Sequence, residues 1–134
     1  MTSQIEYQGD LRTKAVHIKS GETFITDAPT DNSGKGEAFS PTDLLATSLA
    51  NCMLTIMAIV ANKKNIKIEG AKAQCIKVMA NDPRRVSEIQ LKIFMPGENI
   101  PAEERNVLEN AALNCPVAKS IHPDINQVVE FIYQ

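Results

Sequence analysis

Cys52, Cys75 and Cys115 are the three cysteines of this 134-residue chain, and two of them stand where a thiol can react. Cys115 precedes Pro116-Val117-Ala118-Lys119-Ser120, which reads as a short helix with Pro at its first position, so Cys115 is its N-cap. Partial positive charge and free N–H donors at a helix start favour a thiolate. Cys52 lies in mid-helix and needs a cation brought from elsewhere in the chain. Cys75, with no His, Cys or Arg in local reach, reads as a packing residue. Neither a C-x-x-C pair nor a Cys/His set at zinc spacing occurs, which argues against a thioredoxin-type motif and a structural metal site. Two separated thiols in thiolate-favouring settings suit a two-step redox cycle. One attacks an O–O bond and becomes a sulfenic acid; the second condenses with it to a disulfide. The alternative is that both thiols only pack.

The element that must position Cys52 is the stretch Ser40 to Asn62. Between Leu44 and Ala61 it has no charge, Gly or Pro, and it reads as a helix apolar nearly all round, which must be wrapped on several sides. Ser40 as N-cap, Pro41 at the first position and Asp43 at the third give a capping pattern, and Asn62-Lys63-Lys64-Asn65 suits the negative end of the dipole. Thr47, Ser48, Asn51 and Thr55 fall on one stripe, and Cys52 sits at its edge. Four polar residues in a short uncharged stretch argue against a membrane span.

Upstream, Ile5–Tyr7, Leu11–Ile18 and Thr23–Thr26 read as a β meander with turns at Gln8-Gly9-Asp10 and Ser20-Gly21. Arg12 shares parity with Val16 and Ile18 and is expected to lean toward the buried face, where it needs a partner and is the available cation for Cys52. His17, of opposite parity, reads as a solvated strand residue. The polar run 27–39 reads as a loop feeding the helix, either a flap over the helix start or an ordinary connection. Gly34-Lys35-Gly36 lacks P-loop spacing.

Downstream, Ile66–Met79 reads as an extended run with a bulge at Gly70, and Val86–Met95 as a half-buried strand with Ile89, Leu91 and Ile93 on one face. A helix is expected from Pro101, and a closing strand over Gln127–Tyr133.

Formal net charge is −2, with both signs interspersed. That arrangement gives no electrostatic footprint for nucleic acid or an anionic membrane. The length suits one domain, 1–134. A start without a basic segment followed by an apolar run argues against a secretory signal and for a cytoplasmic location, and three Cys in such a chain argue against a disulfide framework.

Phe39-Ser40-Pro41-Thr42-Asp43-Leu44-Leu45-Ala46, Cys52 in a long apolar helix, and Asn114-Cys115-Pro116-Val117-Ala118-Lys119 together resemble the OsmC/Ohr family of thiol peroxidases, over nearly the whole chain. The resemblance implies an α/β (α+β) fold in which antiparallel sheets wrap a long buried central helix. It also implies an interlocked homodimer with its active site at the subunit interface. Cys52 matches the peroxidatic thiol, Cys115 the resolving thiol, and Arg12 the N-terminal Arg that holds the thiolate. In the family's hydroperoxide reductases a Glu at the start of the Cys-helix orients that Arg. Here Thr42 stands at its place, with Asp43 beside it and Glu37 upstream, so the pattern is closer to the OsmC-like branch.

The leading expectation is therefore a peroxidase that reduces organic hydroperoxides without metal or flavin and is reset by an external dithiol or lipoyl group. The alternative is a dimer that binds a small apolar or sulfur-containing ligand at the interface.

Overall fold

A computed structural model describes residues 1–97 and 99–134. The chain divides into two compact units, Met1–Leu45 and Ala46–Gln134.

The first unit is built on an antiparallel three-stranded sheet, β1 (Ser3–Gly9), β2 (Arg12–His17) and β3 (Thr23–Asp27), in sequential order. The meander is as expected, but its parity is not. Ala15 is the buried residue of β2 while Ile18 is exposed, so Arg12 is not drawn inward by the face it shares with Val16 and Ile18. It is held by a partner described below. His17 is exposed, with Nδ1 2.5 Å from Ser20 Oγ.

Segment 28–39 closes on itself rather than lying open. A 3₁₀ turn spans Thr30–Asn32, the Asp27 amide donates to the Phe39 carbonyl (3.1 Å), and the Gly36 amide donates to the Ala28 carbonyl (3.2 Å). Position 34 must be glycine, because a Cβ there would stand 1.7 Å from the Ala28 carbonyl oxygen. The segment is therefore a braced connection into the helix that follows.

That helix, α1, runs Pro41–Lys63. Its start has the expected reciprocal cap: Ser40 Oγ accepts the Asp43 N–H and an Asp43 carboxylate oxygen accepts the Ser40 N–H, each at 3.0 Å. By length and composition α1 could cross a membrane. In the second unit, however, Ala46, Leu49, Ala50, Met53, Met57 and Ala61 form a stripe buried in the core, as in a core helix.

The rest of the second unit is a three-stranded sheet, β4 (Lys72–Ala80), β5 (Arg85–Met95) and β6 (Asn126–Tyr133), in that order, with α2 (Ala102–Leu113) and α3 (Pro116–Ser120) between β5 and β6. β5 alternates as read: Ile89, Leu91, Ile93 and Met95 face the core and Lys92 faces out. Full burial of each large apolar side chain contributes about 1.5–3 kcal/mol.

The all-antiparallel expectation is corrected here, because β6 pairs parallel to β5, Glu88 opposite Asn126 through Met95 opposite Tyr133. Two helices intervene, enough chain for the crossover that parallel pairing requires. Gly70 is not a bulge either. It takes φ +93° in the turn before β4, and the irregularity in the ladder lies at Val78/Met79.

Three contacts of charged or polar groups hold α2. Tyr133 donates to Glu109 Oε2 (2.7 Å) while the Arg105 guanidinium lies over the Tyr133 ring, 4.2 Å from its centroid. Lys64, just past α1, is 3.1 Å from Glu104. Together with buried Leu108 and Ala112, they anchor the helix that leads to Cys115.

Candidate active site

Cys115 is the N-cap of α3, as its sequence context dictates, and it is fully buried among Leu108, Ala112 and the α1 stripe. Cys52 is half-buried against the same core. The two thiols are neighbours, close enough for Cys52 to act on the ionisation of Cys115.

Burial is the main force that pushes the Cys115 thiol above its ordinary pKa, and the Cys52 thiol beside it adds to the rise. The side chain makes no capping hydrogen bond, although the Ala118 and Val117 amides act in the opposite direction. The sequence expectation of a lowered pKa is thus corrected. The helix-start amides are present, but desolvation outweighs them. Cys115 is a protonated thiol at neutral pH, and Cys52 is the more accessible member of the pair. All three cysteines are free thiols. Cys75, expected to pack, is exposed on β4, an edge strand of its sheet.

In the first unit Arg12 forms a fork with Asp27. Nε donates to Oδ1 at 2.7 Å and Nη2 to Oδ2 at 2.8 Å. Asp27 is 1% exposed and the Arg12 side chain 26%. Asp27 Oδ2 also accepts the Glu37 amide at 3.1 Å. These Arg12 hydrogen bonds lead in holding the Asp27 carboxyl below the usual aspartate range, and the Glu37 amide assists against the cost of burial. The guanidinium pKa is raised in turn, first by the Asp27 hydrogen bonds.

Among the three supporting candidates read from sequence, Glu37, Thr42 and Asp43, Glu37 meets Asp27 through its backbone and adds its charge near Arg12. Asp43 is engaged in the helix cap, and Thr42 Oγ1 lies 3.3 Å from Ser40 Oγ. The acid that holds Arg12 is Asp27, which the sequence reading placed in the loop just beyond β3. Register is the signal that finds it: in the β2–β3 hairpin Val16 pairs with Thr23, and counting back along the ladder sets Arg12 opposite Asp27. Opposite charges at such cross-strand positions attract. Among the described residues no group of three or more His, Cys, Asp or Glu is placed to hold a metal ion.

A family model described as OsmC-like protein matches residues 34–130. The chain belongs to the OsmC-like family. A crystal structure from Psychrobacter arcticus 273-4, of a protein assumed to be an osmotic-stress-induced and detoxification-response protein, is 57% identical to this OsmC-like chain. It superposes with a TM-score of 0.94 over 98% of this chain and 95% of that one. An OsmC-like protein from Mycoplasma pneumoniae shares the fold at 17% identity, with a TM-score of 0.80 over 98% of this chain and 94% of that one. The organic hydroperoxide resistance protein OsmC from Legionella pneumophila does so at 17% identity, with a TM-score of 0.72 over 98% and 97%. No curated protein matches this OsmC-like chain. The α+β class and the OsmC-like fold expected from sequence are thereby established.

Proposed function

We propose that this OsmC-like protein is a thiol-dependent peroxidase that reduces organic hydroperoxides through Cys52 and Cys115. The observation that carries the proposal is the pairing of a half-buried Cys52 with a sealed, protonated Cys115. The Cys52 thiolate attacks the distal oxygen of ROOH, and the O–O bond breaks. A proton completes the alcohol ROH and Cys52 is left as a sulfenic acid. The Cys115 sulfur then attacks the Cys52 sulfur, and its proton leaves with the hydroxyl as water, forming the disulfide. An external dithiol or lipoyl group returns both thiols. Arg12 supplies positive charge to the Cys52 thiolate and to the charge that develops on the oxygen.

Peroxide detoxification agrees with the names of structural relatives in Legionella pneumophila and Elizabethkingia anophelis, which are organic hydroperoxide resistance proteins. We assign the working form to a homodimer of single-domain chains, each 1–134, in the cytoplasm. Support for a second copy comes from α1, which leaves Leu45 37% and Ile59 47% exposed on a helix apolar nearly all round. A second reading, a dimer that binds a small apolar or sulfur-containing ligand without turnover, is favoured by Thr42 and Asp43 being taken up at the helix cap.

Consumption of cumene hydroperoxide with dihydrolipoamide as reductant separates the two. The wild type should turn over, Cys52→Ser should not, and Cys115→Ser should lose turnover while its Cys52 over-oxidises to the sulfinic acid. A wild type that leaves the hydroperoxide untouched supports the ligand-binding reading.

A further inference from the structure

The peroxidase reading gives Arg12 a task but does not say what aims its side chain. A long, flexible Arg is effective only if its guanidinium is held in one plane. Thr42 and Asp43 are engaged at the start of α1, and Glu37 reaches the pair through its backbone. Asp27 is different in three respects. It lies directly across the hairpin from Arg12, it is almost wholly buried, and both of its oxygens bind the guanidinium.

We propose that Asp27 is the positioning residue for Arg12. The fork occupies two of the five guanidinium N–H donors and leaves the opposite edge for a second anion. Because the carboxylate also accepts the Glu37 amide, the same residue locks segment 28–37 against the strand that carries Arg12. Asp27 touches neither substrate nor thiol in this role and acts only through Arg12. Other charges around the pair are Glu37, Asp10 and Lys35, the last of these 3.9 Å from Asp10. None of them replaces a buried two-oxygen acceptor.

The proposal rests on Arg12 assisting Cys52, so the test separates the two ideas. Single-turnover oxidation of Cys52 by cumene hydroperoxide is followed in wild type, Arg12→Ala, Asp27→Asn, Asp27→Glu and the Arg12→Ala/Asp27→Asn double variant, with folded fraction checked by thermal melting. Asp27→Asn should slow oxidation roughly ten- to hundredfold. Asp27→Glu should recover part of that loss, and the double variant should be no slower than Arg12→Ala. Such non-additivity is not expected of a residue that only stabilises the fold.

A wild-type rate in Asp27→Asn alongside a slow Arg12→Ala overturns the proposal alone. A wild-type rate in Arg12→Ala overturns the Arg12 assignment and this proposal with it. Where Asp27→Asn does not fold, the wild type itself answers: its Arg12 Nε–H should exchange slowly with solvent by NMR, and fast exchange overturns the fork.

Discussion

Cys52 lies half-buried beside Cys115, whose thiol is sealed in the core. With Cys75 exposed on β4, the three thiols differ in access, and alkylation should follow that order. Iodoacetamide at mild alkaline pH should label Cys75 and Cys52 in the native protein. Cys115 should be modified only on unfolding or well above the ordinary thiol range, because burial raises its pKa. Peptide mapping after a time course reads the order, and early labelling of Cys115 would contradict the burial argument.

The Arg12–Asp27 fork makes stability sensitive to acid. The folded-state pKa of Asp27 is below its ordinary value, so the native state binds fewer protons than the unfolded chain across that interval. The stabilisation is fully present above the usual aspartate pKa of about 3.9 and is lost as pH falls through the lower folded value. Urea midpoints measured from neutral pH into this acid range should fall more steeply for wild type than for Asp27→Asn. Equal slopes would mean that the fork contributes nothing in solution.

The reciprocal cap between Ser40 and Asp43 sets where α1 begins. Ser40→Ala removes the acceptor for the Asp43 N–H and should cost about 1 kcal/mol in chemical denaturation. Cys52 sits three turns further along the helix, so its alkylation rate in the folded protein should stay close to wild type.

Leu108 is fully buried in the same core as Cys115. Leu108→Ala should destabilise by about 2–5 kcal/mol through lost burial and a residual cavity. By loosening that core it should also speed labelling of Cys115 more than labelling of Cys52. Equal acceleration of both would place the opening elsewhere.

Local signals carried much of this fold. The Ser-Pro-Thr-Asp start of α1, the alternation of Ile89, Leu91 and Ile93, and the Cys-Pro start of α3 are each written within a few residues, and each appears as read. What local reading could not reach were quantities set by distant chain. The depressed Asp27 depends on hairpin register, the parallel direction of β6 on the crossover through α2 and α3, and the raised Cys115 pKa on the burial of that residue in the core with Leu108 and Ala112. Cys75 shows the converse case, a residue read as packed that is exposed on an edge strand.

The central claim is that Cys52 and Cys115 form one redox pair. It is tested most directly by intact mass, thiol count and disulfide mapping under non-reducing conditions, after one equivalent of an alkyl hydroperoxide. The account predicts loss of two thiols, a mass decrease of about 2 Da and a Cys52–Cys115 cross-linked peptide in wild type, with no such peptide in Cys52→Ser. Survival of both thiols through an excess of several hydroperoxides would contradict it.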